Sequence, residues 1–218
     1  MKAKPDKPAG LYVHIPFCLR KCRYCDFYSI SDLSQTSGFL AALKREMQMN
    51  SGIPLVFDTL YIGGGTPSVL APEVIGQIIE TASRYFIIAS DAEITLEVNP
   101  GTVTLDNLSE YRQFGVNRLI IGVQSFDDKN LRFLGRIHSG SDARLSVEWG
   151  HRAGFDNIGL DLIFGLPGQD IVNLLQDLRQ AENLEPAPLS CYMLTCESGT
   201  PLAEDVKTGR IRWASEGM

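Results

Sequence analysis

The chain has 218 residues, of which 44% are hydrophobic and 21% are charged, a composition typical of one globular domain with a buried core and not of a disordered chain. The formal net charge of -6 and the pI near 5.1, without any run of lysine or arginine, argue against nucleic acid as a partner. Because no stretch approaches about 18 unbroken apolar residues and residues 1–8 contain no apolar signal segment, we expect a cytoplasmic protein without a transmembrane segment.

Short apolar or β-branched runs alternate along the chain with amphipathic stretches, which predicts repeated βα units. The predicted strands are Leu11–Ile15, Thr59–Ile62, Glu93–Val98, Arg118–Val123, Ile158–Phe164 and Ser190–Thr195. The predicted helices, which carry apolar residues three or four positions apart, are Gly38–Asn50, Glu73–Phe86, Leu105–Phe114, Ser141–Ala153 and the stretch Ile171–Leu178. Six strands in this alternation allow either an open doubly wound sheet or a partial (β/α)6 barrel, and periodicity alone does not choose between them.

The domain organisation predicted from this pattern is simple. We expect an N-terminal tail over residues 1–10 and one core domain over residues 11–202 with no internal linker. Residues 203–218 hold a weak helix and then stop without a capping element, so we expect them to begin a C-terminal region that is truncated in this chain.

Three of the five cysteines lie in one short segment, CLRKCRYC, directly after the first predicted strand. An odd number of cysteines without an export signal argues against a disulfide framework. The spacing Cys18-x3-Cys22-x2-Cys25 places three thiolates on one loop, close enough to bind one polynuclear centre. The alternative is a zinc site, which usually has four protein ligands, and the nearest fourth candidates are His14 and Asp26. An iron–sulfur cluster with only three cysteine ligands would leave one iron open to a further ligand.

Glycine-rich or polar positions follow several of the predicted strands. The turn Gly63–Pro67 (GGGTP) lets backbone carbonyls and amides approach a ligand closely, although a plain tight turn is the alternative. It lacks the lysine of a P-loop, so a nucleoside triphosphate site is not expected. Polar side chains at or near the ends of later strands are Glu97, Gln124, Asp161, Arg136 and His138. This clustering favours a barrel, because a (β/α) barrel builds its site at the C-terminal ends of its strands.

Eight motifs then occur in one order: YVHIPFC, CRYCDF, GGGTPS, LEVNPGT, GVQSF, LGRIH, DLIFGLPGQ and SCYMLTCESGTPL. This series resembles the HemN/HemW branch of radical S-adenosylmethionine (SAM) proteins, from about Leu11 to Leu202. The resemblance implies a partial (β/α)6 barrel of the radical SAM type and a [4Fe–4S] cluster on Cys18, Cys22 and Cys25. It also implies that SAM binds the open iron, and that an electron from the reduced cluster cleaves a carbon–sulfur bond of SAM.

The resemblance further implies a set of SAM contacts. By position these are Tyr12 and Tyr24 near the methionine part, Gly65 and Thr66 at its amino end, Glu97 and Gln124 at the ribose hydroxyls, Arg136 at the carboxylate, Asp161 as a support of the pocket, and Thr195 on the sixth strand.

The other histidines and cysteines have simpler interpretations. We expect His14 to be a structural residue of the first strand, packed under the cysteine segment. His138 and His151 are expected to be helix-terminal or solvated residues, not metal ligands. Cys191 and Cys196 flank the sixth predicted strand, and we expect them to be buried small hydrophobic residues.

The branch contains oxygen-independent coproporphyrinogen III oxidases and the heme chaperones that resemble them. The oxidases carry a further cysteine two positions after the third ligand and a longer N-terminal arm, whereas this chain has Cys25-Asp26-Phe27 and almost no arm. The resemblance therefore favours a heme chaperone that transfers heme to acceptor apoproteins and needs a reducing electron donor. SAM-dependent oxidative decarboxylation in porphyrin biosynthesis is the alternative, although coproporphyrinogen dehydrogenase activity is not expected. The heme motif of the branch is expected beyond Met218.

Overall fold

The computed structural model describes residues 9–213, so most of the predicted N-terminal tail and residues 214–218 lie outside the described part of the chain. Within residues 9–213 the strands are β1 (Ala9–Ile15), β2 (Val56–Gly64), β3 (Ile87–Val98), β4 (Arg118–Gln124), β5 (Ile158–Phe164) and β6 (Leu189–Met193). The helices are α1 (Thr36–Met49), α2 (Pro72–Tyr85), α3 (Leu105–Gln113), α4 (Asp128–Leu134), α5 (Gly140–Arg152), α6 (Ile171–Glu182) and α7 (Pro201–Lys207). None of the helices in this part of the chain has the length and hydropathy needed to span a membrane.

The six strands form one parallel sheet in the order β1-β2-β3-β4-β5-β6. Parallel crossovers are almost always right-handed, so strands added in chain order place every connecting helix on the same face. A doubly wound sheet instead reverses its strand order at a switch point and carries helices on both faces. The order therefore selects the predicted partial (β/α)6 barrel over the open sheet.

The hydrophobic core lies between the sheet and the helices. Alternate strand residues point towards the helices and are buried, as Val13, Ile15, Leu60 and Ile62 show. Each fully buried aliphatic side chain contributes about 1.5–3 kcal/mol to folding. The intervening residues face the inside of the partial barrel, where aromatic and charged side chains dominate. That inner face and the C-terminal strand ends are the places open to a ligand.

Several elements differ from the sequence prediction, among them β3, which begins at Ile87 and not at Glu93, and β2, which spans Val56–Gly64 and not Thr59–Ile62. β6 ends at Met193, so Thr195 lies two residues past the strand and not on it. Helix α4 was not predicted, because its seven residues are too few for apolar periodicity to stand out. Its end signals are nevertheless local: the Asp127 side chain accepts a hydrogen bond from the Lys129 amide, and Gly135 ends the helix at a φ of 76°.

Candidate functional site

The cysteine segment follows β1 and is tied back to it by the backbone. The Cys18 amide donates to the Ile30 carbonyl (3.0 Å), and the Ile30 amide donates to the Pro16 carbonyl (2.7 Å). Cys18, Cys22 and Cys25 are all half-buried free thiols. The loop thus returns to its starting point and presents the three sulfurs from one short stretch of chain.

Residues distant in sequence also contact the cysteine segment, through the side chains of Arg20 and Arg23 and the Arg23 carbonyl. Arg23 forms a salt bridge with Asp205 of α7, and its guanidinium carbon lies 5.1 Å from the centre of the Phe133 ring. The Leu202 amide donates to the Arg23 carbonyl (3.0 Å). Arg20 donates to the Gly135 carbonyl (2.6 Å) from the same segment. Helices α4 and α7 therefore both contact the cysteine segment. Nothing local in the sequence indicates these contacts between distant residues.

The glycine-rich segment Gly63–Pro67, whose first two residues end β2, packs directly against the cysteine segment. The Gly65 amide donates to the Ile15 carbonyl (2.7 Å), the Thr66 amide to the Phe17 carbonyl (2.7 Å), and the Gly64 amide to Oε2 of Glu97 (3.0 Å). The expectation that amides of this turn meet a ligand is therefore wrong for these three groups, because they already bind acceptors within the protein. The turn can offer carbonyl oxygens instead, which suit an amino group.

Two side-chain features complete the contact between the turn and the cysteines. The Thr66 hydroxyl donates to Cys18 Sγ (3.5 Å). A Cβ atom on Gly65 would lie 2.7 Å from the Phe17 carbonyl oxygen and 3.1 Å from Cys18 Sγ. Position 65 therefore has no room for a side chain while the sulfur stays in place.

Glu97 lies at the end of β3 with both carboxylate oxygens engaged. The Tyr61 hydroxyl donates to Oε1 (2.7 Å), in addition to the Gly64 amide on Oε2. Burial raises the pKa of Glu97 above its ordinary value, although these two hydrogen bonds oppose the shift. Sequence reasoning missed Tyr61, which shares the inner face of the sheet with Glu97; alternation along β2 was the available signal. The orientation of the carboxylate is thus determined by the protein, and it retains acceptor capacity for hydroxyl groups.

Arg136 follows α4 and reaches the cysteines. Its Nη1 donates to Cys22 Sγ (3.6 Å) and its Nη2 donates to the Gly122 carbonyl (2.8 Å). Its Nε is buried and has no hydrogen-bond partner within the described residues. Tyr24 lies beside it; burial raises the pKa of Tyr24, and the Arg136 charge opposes that rise. A half-buried cation with a buried, unpaired N–H group is suited to an anionic ligand.

Gln124 is the last residue of β4, and His138 contacts the residue before it, with Nε2 3.1 Å from the Val123 carbonyl oxygen. Gln124 has a φ of 67°, in the left-handed region. His138 directly precedes Ser139, the N-cap of α5, so the helix-terminal prediction is correct, but its side chain is buried and not solvated. Burial, helped by the Arg136 charge, lowers the pKa of His138 to about 4. The imidazole is therefore neutral at physiological pH.

The remaining predicted residues lie around this centre. Tyr12 faces the barrel interior, 54% exposed, with its hydroxyl 3.1 Å from Nδ1 of His14. His14 in turn donates from Nε2 to the Tyr28 carbonyl (3.0 Å), which places it under the cysteine segment as predicted. With both ring nitrogens engaged in this way, His14 is poorly placed as a zinc ligand, and Asp26 is exposed.

Several predicted features lie outside this arrangement or differ from expectation. Thr195, beyond β6, has an exposed side chain. Cys191 lies within β6 and is exposed, so the prediction that it is buried is wrong, while Cys196 is half-buried. His151 is exposed in the last turn of α5, as predicted. Within residues 9–213 no three His, Cys, Asp or Glu side chains converge on one metal ion, so the three thiols are not gathered at a single point, whereas a cluster would bind each thiolate through a different iron.

Asp161 lies on the inner face of β5 among other charges. Burial raises its pKa to about 6 and the Glu97 charge acts in the same direction, whereas the Ser190 hydroxyl, Arg118 and Arg136 oppose the shift. The folded protein therefore keeps the Asp161 proton over a pH range, from about 4 to about 6, in which the unfolded chain has lost it.

The raised pKa of Asp161 predicts a pH-dependent stability difference. Since the folded state binds the extra proton, the contribution of this carboxyl to the free energy of unfolding falls as pH rises from about 4 to about 6. We expect the free energy of unfolding of Asp161→Asn, relative to that of the wild type, to be about 1 kcal/mol higher at pH 7 than at pH 4, allowing for partial exposure of the side chain. Urea unfolding of both proteins without metal at the two pH values measures this, and a constant difference would contradict it.

Comparisons with known proteins agree with the geometry. The sequence model of the radical SAM superfamily matches residues 12–181 of this chain. The heme chaperone HemW of Escherichia coli (strain K12) is 40% identical over 199 residues, which are 88% of this chain and 52% of that protein. The heme chaperone HemW of Bacillus subtilis (strain 168) is 38% identical over 205 residues, 92% of this chain and 54% of that protein.

A solved structure shows the same architecture. The coproporphyrinogen III oxidase HemN from Escherichia coli, described as a radical SAM enzyme, superimposes with a TM-score of 0.85 at 29% identity, covering 96% of this chain and 49% of that one. The chain spans about half the length of these relatives. These similarities confirm the resemblance that the ordered motifs indicated.

Proposed function

The chain belongs to the radical SAM superfamily, and on that premise we propose that it binds a [4Fe–4S] cluster through Cys18, Cys22 and Cys25, with SAM at the iron that these thiolates leave open. The observation that carries the proposal is Arg136, which donates to Cys22 Sγ and keeps a buried N–H group unpaired. When bound, the cluster supplies the electron that cleaves a carbon–sulfur bond of SAM.

The surroundings of the thiols fit such a group. Three thiols come from one half-buried loop, and the Thr66 hydroxyl and the Arg136 guanidinium both donate to sulfur. Hydrogen bonds to cluster sulfurs and nearby charge tune iron–sulfur centres. Position 65 has no space for a methyl group beside Cys18, because the backbone of the turn lies directly against the sulfur. The carbonyl groups of this turn are therefore close to the proposed cluster.

The SAM contacts are proposed from the same geometry. Arg136 binds the carboxylate, the turn at Gly65 and Thr66 receives the amino group, and Glu97 and Gln124 bind the ribose hydroxyls. The oriented carboxylate of Glu97 supports this assignment, since it retains lone pairs for hydroxyl donors. Tyr12, Tyr24, Asp161 and Thr195 are proposed to complete the pocket. Among these four the support is weakest for Thr195, which lies past β6.

For the whole protein we propose a heme chaperone that transfers heme to acceptor proteins. Two relatives described as heme chaperones, at 40% and 38% identity, support this function, as does the Cys25-Asp26-Phe27 sequence. Asp26 and Phe27 are both exposed, where the oxidase group would carry the C-x-C continuation. The second candidate function is a coproporphyrinogen III oxidase, favoured by the TM-score of 0.85 with HemN. Under the chaperone proposal the whole protein binds heme, transfers it to an acceptor protein and receives electrons from a donor.

The SAM site predicts the behaviour of an arginine variant. Arg136→Ala is expected to weaken SAM binding about 10- to 100-fold, because a charge-assisted pair in a half-buried site loses its cation. Titration of SAM into the reduced cluster, followed by electron paramagnetic resonance, measures the affinity. Arg152→Ala, at an exposed position of α5, is the matched control and should bind SAM as the wild type does. A wild-type spectrum unchanged by saturating SAM would refute the assignment.

The two candidate functions predict different products. A version of the protein that covers the full length of the relatives, supplied anaerobically with SAM, reductant and coproporphyrinogen III, is expected to form no protoporphyrinogen and to bind heme stoichiometrically. Formation of protoporphyrinogen would replace the chaperone proposal with the oxidase. Heme titration of the 218-residue chain is the control that tests whether the heme ligand lies within this chain. Tight binding there would place the heme ligand in this chain, and His151 is the first residue to replace, since His14 and His138 already use both ring nitrogens.

A further inference from the structure

Gln124 has an unusual backbone at the end of β4. Its φ of 67° lies in the left-handed region, which a residue with a Cβ atom seldom adopts, and the pairing between β4 and β5 shifts register between Ile121 and Gln124. Strained conformations of this kind persist only where the surrounding structure determines them.

On the N-terminal side of Gln124, the restraint is His138. Its Nε2 lies 3.1 Å from the Val123 carbonyl oxygen and its Nδ1 lies 3.2 Å from Oδ1 of Asn99. A carbonyl oxygen can only accept, so Nε2 carries the ring proton in the neutral imidazole. The side chain is only 5% exposed, which excludes water as a ready substitute for this bond.

On the C-terminal side, the restraint is Asp177, which comes from α6. Its Oδ2 accepts from the Ser125 hydroxyl (2.6 Å) and its Oδ1 accepts from the Phe126 amide (2.8 Å). Asp177 is 3% exposed and Ser125 is fully buried. A buried carboxylate is costly unless hydrogen bonds satisfy it, and these two bonds do so for Asp177. The residues before and after Gln124 are therefore both tied to buried polar side chains.

We propose that His138 and Asp177 are positioning residues that hold Gln124 in its left-handed conformation and thereby set its side-chain amide for the ribose of SAM. This inference rests on the proposed SAM site and adds two residues to it, neither of which lies at a strand end. Each acts through the backbone of a neighbour of Gln124, so neither needs to touch SAM.

A double-mutant cycle separates this role from a purely structural one. The variants are Asp177→Ala, Gln124→Gly and the pair, each reconstituted anaerobically as the 218-residue chain. Glycine adopts a positive φ without strain but carries no amide. SAM affinity is measured by equilibrium dialysis, and thermal unfolding of the metal-free protein is measured in parallel.

We expect Asp177→Ala and Gln124→Gly each to weaken SAM binding about tenfold, a loss typical of one or two hydrogen bonds. The pair should bind no more weakly than Gln124→Gly alone, although Asp177→Ala should still lower the melting temperature in both backgrounds. His138→Ala should show the same coupling. Ser125→Ala removes one bond of Asp177 and provides a milder variant if Asp177→Ala fails to fold.

Two controls belong to the cycle. Gln176→Ala changes an exposed residue of α6 and should leave SAM affinity unchanged. Glu185→Gly relieves the other positive φ among non-glycine residues 9–213, 50°, and should also leave affinity unchanged. Losses that multiply in the pair, in a wild type that binds SAM, would overturn the inference alone. A wild type that binds no SAM would overturn the proposed site and the inference together.

Discussion

Replacement of Cys18, Cys22 or Cys25 with alanine is expected to abolish a stable [4Fe–4S] cluster, whereas Cys191→Ala and Cys196→Ala are expected to retain it. Three thiolates are the protein ligands proposed for the cluster, and loss of one leaves a second iron without a protein ligand. Iron and sulfide content with visible absorption after anaerobic reconstitution measures the result. We expect near-complete loss in the first three variants.

The two other cysteines make informative controls. Cys191 is exposed on β6 and Cys196 is half-buried beyond it, so both are accessible thiols outside the cysteine segment. Their replacement tests whether any accessible thiol contributes to cluster content. Stoichiometric zinc without iron or sulfide in the anaerobically purified wild type would contradict the cluster and restore the zinc alternative.

Gly65→Ala is expected to lower the free energy of unfolding by about 2–3 kcal/mol, the upper part of the range for overpacked sites, and to impair cluster assembly. An added Cβ would lie 2.7 Å from the Phe17 carbonyl oxygen and 3.0 Å from that of Ile15, so backbone of β1 and the cysteine segment must shift to accommodate it. The same atom would lie 3.1 Å from Cys18 Sγ. Urea unfolding and iron content measure the two effects.

Gly38→Ala is the matched control for this substitution. Gly38 lies inside α1 with no other atom near the position of a new Cβ. Alanine is favoured over glycine in a helix interior by about 0.5–1 kcal/mol, so this variant should be as stable as the wild type or more stable. If Gly65→Ala unfolded at the wild-type urea concentration with full iron content, the close contact between turn and cysteines would not exist in solution.

Local patterns in the sequence determined much of the fold. The alternation of β-branched runs with amphipathic stretches predicted all six strands of the described chain and five of its helices, because burial on one face of a helix imposes a period on the residues. The spacing of Cys18, Cys22 and Cys25 is likewise local, since ligands on one loop must lie close in sequence. The ordered motifs indicated the barrel and the family before any contact was known.

Only the tertiary structure decided which distant residues meet. Arg136 donates to a sulfur 114 positions away, Arg23 pairs with Asp205 across 182 positions, and Asp177 reaches back 52 positions to Ser125. No periodicity or propensity encodes such pairs, because each depends on how strands and helices pack after the sheet has curled. The chain-order topology brings the strand ends together, and the site therefore arises from contacts that local sequence cannot specify.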